Sequence, residues 1–192
     1  LEVANTQVGT TDEYSNIATV YSANFSVGSV SAASAVGTTT FLSNLSDATF
    51  AAVGRPAITE CSGKTFFALS KAWGSVQNPT SILLYGGSSV FSLEVGESVA
   101  THVVDAPEHL VEIACHGEDL LLRAPHTIYR HKPGGGAALP LATVPTGSFS
   151  GKVGPMRILD DHLYFSHGQT ANDTDPLFVQ RGLKRVDLSQ LC

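Results

Sequence analysis

The sequence has few charged side chains and no basic cluster. Of its 192 residues 15% are charged, and 11 scattered Lys and Arg face 17 Asp and Glu, which gives a formal net charge of −6. Without a basic stripe to neutralise phosphates, we expect neither nucleic acid nor an anionic membrane surface as a partner. A run of about 18 apolar residues is also missing, so the sequence contains no candidate transmembrane helix.

Familiar metal-binding and catalytic motifs are missing too. There is no Cys-X-X-Cys or His-X-X-X-His spacing for zinc, and no Gly-X-Ser-X-Gly turn of the α/β-hydrolase type. Residues 62–65 resemble the last part of a phosphate-binding loop, but that motif also needs a glycine at the position occupied by Ile58. We therefore expect no metal and no cofactor, and the catalytic residues of any enzyme stay unassigned.

Cysteine is scarce and odd in number, with Cys61, Cys115 and Cys192. In an oxidising compartment a Cys61–Cys115 disulfide would leave Cys192 unpaired or available to another chain. The alternative is that Cys61 and Cys115 are buried thiols, as free cysteines often are. Both alternatives stay open at this stage.

Several features favour a secreted protein. Asn24, Asn44 and Asn172 each begin an Asn-X-Ser/Thr sequence and are candidate glycosylation sites. The chain begins at Leu1 and lacks the basic, apolar and small-residue order of a signal peptide, which favours a processed form. We predict an extracellular or cell-surface glycoprotein.

The sequence is rich in short alternating patterns. Residues 1–50 combine Ser and Thr with Ala and Val, which indicates a Ser/Thr-rich β segment or an atypical blade rather than a mobile leader. In residues 51–192 one unit recurs, in which a strand enters a tight turn, a second strand leaves it and further strands follow. About three such repeats cover roughly residues 57–99, 107–144 and 154–189.

The spacing of the repeats predicts their architecture. Tight turns are expected at Ser62-Gly63, His116-Gly117 and Asp160-Asp161. Aligning Phe66, Leu120 and Leu163 gives spacings of 54 and 43 residues, the scale of a four-stranded propeller blade. We predict an all-β fold of antiparallel sheets in blade-like repeats, propeller-like, with a β-sandwich as the alternative.

The stretch 127–188 carries a family resemblance. In 127–143 a strand with Tyr129-Arg130 leads to the glycine turn 134–136, and 158–166 form a short aspartate-bearing hairpin. This arrangement resembles blades of secreted bacterial-type β-propellers. Such families include binding scaffolds, lyases and sialidase-like enzymes, so the resemblance implies a fold and leaves the activity open.

Two sets of side chains are candidates for ligand binding. Sialidase-like chemistry needs a cluster of arginines for a carboxylate. The candidates for that role are Arg55, Arg123, Arg157 and Arg181. The Ser-X-Asp-X-Gly-X-Thr-Trp turn of that family is missing, which favours exposed or packed arginines instead. Asp160, Asp161, Asp173 and Asp175 lie near His162 and His167 and could hold Ca²⁺, although a turn explains the first pair more simply.

Three or four such units are fewer than most closed propellers contain. The missing part predicts other protein chains as partners, by self-association or in a larger complex. Our first functional hypothesis is a non-enzymatic extracellular binding or structural module that assembles with other chains. The alternatives are a propeller-fold glycosidase of the sialidase type or a lyase, and a subunit of a surface filament or layer.

Overall fold

The computed structural model describes residues 2–7, 13–22, 25–26, 29–30, 34–44, 48–50, 57–74, 82–83, 87–94, 96–144, 150–170 and 178–189. Side chains are described at residues 35, 57–69, 87–94, 96–144, 152–168 and 182–189. Every strand pairing in these ranges is antiparallel. The predicted all-β antiparallel fold is therefore confirmed. None of the described residues forms a helix long and apolar enough to cross a membrane.

The described strands follow one another with few long connections. In chain order they are β1 (Glu2–Gln7), β2 (Glu13–Ser22), β3 (Phe25–Ser26), β4 (Ser29–Val30), β5 (Ser34–Asn44), β6 (Ala48–Phe50), β7 (Ile58–Cys61), β8 (Lys64–Gly74), β9 (Ile82–Leu83), β10 (Ser88–Glu94), β11 (Thr101–Ala106), β12 (Glu112–His116), β13 (Asp119–Arg123), β14 (Thr127–His131), β15 (Leu139–Thr143), β16 (Ser150–Leu159), β17 (His162–Thr170) and β18 (Phe178–Asp187).

The described strands form four sheets of three or more strands and one two-stranded hairpin. Sheet I has the order β1-β2-β5, and β3 and β4 form a separate hairpin. Sheet II is built on β8, which pairs with β7 and β6 along one flank and with β10 and β9 along the other, while β11 lies beyond β10. Sheet III runs β12-β13-β14-β15, and sheet IV runs β16-β17-β18. Sheets III and IV are thus simple meanders in which neighbours in sequence are neighbours in space.

Tight turns join β7 to β8 in sheet II, β12 to β13 in sheet III and β16 to β17 in sheet IV. Ser62 and Gly63 have φ values of 50° and 77°, and Asp160 and Asp161 have 48° and 56°. Two consecutive positive φ values match the type I′ turn, which suits the right-handed twist of a hairpin. In sheet III the turn is Gly117-Glu118, one residue later than predicted, and only Gly117 has a positive φ, of 59°.

The sheets stack face to face through apolar side chains. Phe66 and Ala68 of sheet II share a buried cluster with Leu120 and Leu122 of sheet III. The intervening Leu121 points to the opposite face of sheet III and packs with Leu163 and Phe165 of sheet IV. Both faces of sheet III are covered, which explains why β13 carries three consecutive leucines instead of an alternating pattern. Each buried leucine contributes roughly 1.5–3 kcal/mol.

The hairpin register corrects the predicted alignment of the repeats. Across the three turns Cys61 pairs with Lys64, His116 with Asp119, and Leu159 with His162. The residue equivalent to Leu120 and Leu163 is therefore Thr65, not Phe66. Since neighbouring residues of a strand face opposite sides, a slip of one residue exchanges the two faces. Phe66 accordingly packs against Leu120 across the interface, and the two are not equivalent.

Two edge strands were not predicted as strands: β11 lies beyond the first unit, 57–99, and β15 lies within the second, 107–144. β11 and β15 are the last strands of sheets II and III. A strand in that position has fewer contacts, so less constrains its residues to alternate between apolar and polar. Pro140 stands within β15, next to a register shift at Ile128/Tyr129. A proline is tolerated there because an edge strand needs fewer backbone donors.

Candidate functional site

A cleft of about 500 Å³ opens between sheets II and III. We call it the inter-sheet cleft. It lies at the end of the sheets that holds the β7–β8 and β12–β13 turns and the loop after β14. Its lining residues are Cys61, Ser62, Lys64, Phe66, Ser92, His102, Val103, Gly117, Glu118, His131, Pro133, Gly134 and Gly135.

A disulfide ties the two walls of this cleft together. Cys61 at the end of β7 and Cys115 in β12 are joined, with their Cα atoms 6.2 Å apart. The open choice between a disulfide and buried thiols is thereby decided in favour of the disulfide. The single-residue offset of the hairpins explains the pairing, because Cys61 faces sheet III while Cys115 faces sheet II. Cys192 lies outside the described residues.

His131 is the most distinctive group in the cleft. Its side chain is 2% exposed, and its Nδ1 atom has no hydrogen-bond partner among the described residues. The ring also has a hydrogen bond with the backbone of Gly136. Buried polar atoms are nearly always hydrogen-bonded, since leaving one unpaired costs about 1–3 kcal/mol. The described residues therefore leave this atom unsatisfied.

The wall beside His131 is a rigid turn. It consists of Lys132, Pro133, Gly134 and Gly135. Gly134 has a φ of 73°, and the Gly135 N–H donates to the Lys132 carbonyl at 2.8 Å. Proline followed by a glycine of positive φ is the pattern of a type II turn. A side chain at 135 would meet the Lys132 carbonyl oxygen at 2.7 Å, so glycine is required there as well. Two glycines of this turn, Gly134 and Gly135, line the cleft.

The charges at the cleft are mostly compensated within the protein. Lys64 forms an ion pair with Glu94. His102 Nε2 lies 3.2 Å from Asp105 Oδ1. Glu118 is the only carboxylate among the described lining residues. The cleft therefore offers an anion little uncompensated positive charge.

A smaller pocket of about 300 Å³ lies on the other side of the Gly117-Glu118 turn. Within it His116 Nε2 lies 2.8 Å from Asp161 Oδ1, and Arg130 Nε donates to Asp119 at 2.5 Å. These ionic groups are already paired with each other, so the pocket has less need of a ligand than the inter-sheet cleft. Asp161 is thus a turn residue bonded to His116. Asp173 and Asp175 lie outside the described residues.

The candidate arginines meet protein carboxylates. Arg123 Nε donates to Glu112 at 2.6 Å and its Nη1 donates to the Val153 carbonyl at 3.0 Å. Arg157 Nη1 reaches the other oxygen of Glu112 at 3.2 Å, from a side chain that is 81% exposed. The same carboxylate accepts from the Met156 N–H at 3.2 Å. Arg123 and Arg157 therefore link sheets III and IV, and neither lines the inter-sheet cleft.

The remaining candidate residues fall outside the described side chains. Three of them lie outside the described residues, namely Arg55, Asn24 and Asn172. Arg181 lies in β18 and Asn44 is the last residue of β5, and the side chains of both are outside the described set. Their assignments stay predictions. His131, in contrast, was not among the candidates from the sequence, because nothing in the order of residues reveals an unpaired buried nitrogen.

Burial of histidine makes stability depend on pH. Burial lowers the pKa of His109 and of His131 below the ordinary value of 6.5, in His131 against the opposing hydrogen bond to Gly136 and the nearby Asp119. Just below pH 6.5 the unfolded chain therefore binds more protons than the folded one. The contribution of these residues to the free energy of unfolding is complete above pH 6.5 and declines as the pH falls through that value.

Urea unfolding at pH 7.5 and pH 5.5 measures this loss. We expect His131→Phe to show a smaller difference between the two pH values than the unmodified protein. His162→Phe is the matched control, since His162 is only partly buried, and it should keep the full difference. An equal pH dependence in all three proteins would contradict the assignment to His131.

Comparison with known proteins yields little. No protein-family model matches the sequence, and no curated protein matches it. Among solved structures the chain is similar to the crystal structure of polysaccharide lyase Uly1, with a TM-score of 0.48 and 14% sequence identity, over 74% of this chain and 29% of that one. This chain thus spans less than a third of that structure's length. A likeness of this degree assigns neither a family nor an activity to the chain.

Proposed function

We propose that this chain is an extracellular binding module whose inter-sheet cleft takes a small polar ligand. The observation that carries the proposal is the unpaired Nδ1 of His131 in the lining of that cleft. The disulfide across the cleft supports an oxidising, extracellular location, because such bonds are rare in the cytosol. It also keeps the two walls at a fixed separation, which favours a preformed site.

The surroundings of the cleft favour binding over catalysis. An enzyme of the glycosidase or lyase type would direct arginines and carboxylates into one pocket. Here Arg123 and Arg157 are directed to Glu112, between sheets III and IV. Burial and a hydrogen bond to Glu108 raise the pKa of Tyr129 to about 12, so this tyrosine stays protonated and is a poor base near neutral pH.

The proposal includes a propeller-like arrangement. Sheets II, III and IV follow one another with equivalent faces turned in the same direction, as successive blades of a propeller do. Closure of such a stack into a ring, and assembly with other chains, stay predictions.

A titration followed by NMR tests the binding function. The probes are cellobiose, digalacturonate, glutamate and spermidine, added separately to the ¹⁵N-labelled chain. We expect at least one of them to shift the amide signals of Gly117, Gly134 and Gly135, which line the cleft. Chromatography of the same mixtures reports any turnover, and product formation would favour the enzyme alternative.

Two variants locate the binding site. His131→Phe removes the unpaired nitrogen, and Ser92→Trp narrows the cleft without altering His131; both should weaken binding. His162→Phe lies on the outer face of sheet IV and should bind like the unmodified protein. If no probe shifts the cleft amides, or if binding persists unchanged in both cleft variants, the proposed site is wrong.

A further inference from the structure

The two nitrogens of His131 differ in their chemistry. The hydrogen bond to the Gly136 backbone raises the pKa of His131, so it stabilises the protonated ring, and the partner is therefore the Gly136 carbonyl. Because Nδ1 has no partner, the donor to that carbonyl is Nε2–H. Burial lowers the pKa of His131, which favours the neutral ring. With Nε2–H as the donor to Gly136, we assign the single proton of that ring to Nε2. Nδ1 is then a lone-pair acceptor, which only a donor can satisfy.

The charges around the cleft restrict what that donor can be. Lys64 is paired with Glu94, and His102 lies beside Asp105. Glu118 adds a negative charge at the rim. An anionic ligand would therefore meet no uncompensated cation among the described lining residues, and its desolvation would be costly.

The remaining lining is half apolar and half weakly polar. Phe66 is buried in the wall, and Val103 stands beside it. Ser62 and Ser92 add hydroxyls, and Gly117, Gly134 and Gly135 leave peptide groups accessible. A hydroxyl-bearing ligand suits this lining, because desolvating a hydroxyl costs less than desolvating a charge.

We infer, building on the proposed binding function, that the ligand of the inter-sheet cleft is an uncharged polyhydroxylated molecule of the saccharide class that donates a hydroxyl to Nδ1 of His131. Such molecules combine hydroxyl donors with C–H faces. The hydroxyl donors match the single buried acceptor, and the C–H faces match the apolar wall of the cleft.

The test compares neutral and acidic sugars by isothermal titration calorimetry. The neutral probes are cellobiose, maltose, lactose and N,N′-diacetylchitobiose, and the acidic probe is digalacturonate. We expect at least one neutral disaccharide to bind more tightly than digalacturonate. The per-O-methylated form of the same disaccharide keeps its acceptors and loses its donors, so it should bind about 10-fold more weakly or not at all.

Variants of His131 separate a direct hydrogen bond from a structural role. His131→Leu should weaken binding of the neutral disaccharide about 10-fold. His131→Asn places an amide oxygen near the position of Nδ1 and should restore part of the affinity. In the unmodified protein the ¹⁵N signal of Nδ1 should shift on adding the disaccharide.

The outcomes distinguish this inference from the proposed function. If digalacturonate, glutamate or spermidine binds at the cleft and no neutral disaccharide does, the cleft is a binding site but the saccharide class is wrong. If the methylated sugar binds as well as the free one, or the Nδ1 signal stays unchanged, donation to His131 is wrong. If none of these probes perturbs the cleft, the binding function itself is contradicted.

Discussion

Replacing Cys61 and Cys115 together by alanine is expected to lower the free energy of unfolding by about 4 kcal/mol. The disulfide closes a loop with a sequence separation of 54 residues, and cross-links over long loops remove the most entropy from the unfolded chain. It also holds sheets II and III together at the end where the inter-sheet cleft opens. Chemical denaturation of the double variant measures the effect.

The double variant is preferred to either single one, because a single replacement leaves a thiol that can pair with Cys192. Reduction of the unmodified protein should reproduce most of the loss, since it breaks the same bond without changing a side chain. Cys192→Ala is the matched control and should keep the full stability. A loss below about 1 kcal/mol in the double variant would mean that the disulfide contributes little to the fold.

Glu112→Ala is expected to destabilise the chain by about 3 kcal/mol, at the lower end of the range for breaking a buried ion pair. Glu112 is 22% exposed and Arg123 is 15% exposed, so both are largely removed from water. Truncation leaves the Arg123 guanidinium without its carboxylate and the Met156 N–H without its acceptor. Sheets III and IV then stay linked by the Arg123 bond to the Val153 carbonyl, the Val153 N–H bond to the Pro125 carbonyl, the His116–Asp161 contact and apolar packing.

Arg157→Ala supplies the matched control. Its guanidinium contacts the same carboxylate but is 81% exposed, so its removal should cost less than about 1 kcal/mol. Glu112→Gln keeps an acceptor oxygen and should fall between the two. Equal losses for Glu112→Ala and Arg157→Ala, measured by chemical denaturation, would contradict a central role for the Glu112–Arg123 pair.

Most of the strands of sheets II to IV could be recognised from the sequence, because hairpins have local signals. Ser62-Gly63 and Asp160-Asp161 are residues that tolerate positive φ, and the turns form there. The edge strands β11 and β15 were missed because few of their residues are buried, so their sequences alternate little between apolar and polar residues. The phase of the repeats was wrong by one residue, since Phe66 and Leu120 are both large and apolar and only the strand register distinguishes their faces.

The candidate site was less accessible to sequence reasoning. The glycine turn after β14 could be found, because proline and glycine mark turns by their own backbone preferences. The arginines were grouped by type, yet what a guanidinium binds depends on which carboxylate folding brings to it. Arg123 lies 11 residues from Glu112 in sequence, while Arg157 reaches the same carboxylate from 45 residues away.

The sequence by itself determined the class of the fold, namely short antiparallel β-strands joined by tight turns, because strand alternation and turn chemistry act over a few neighbouring residues. It also limited the cysteine pairing to a few choices. Only the tertiary structure decided that Cys61 bonds Cys115, that Glu112 joins two sheets, and that His131 keeps an unpaired nitrogen in a cleft. These features depend on contacts between sheets, where the register of each strand selects which side chains meet.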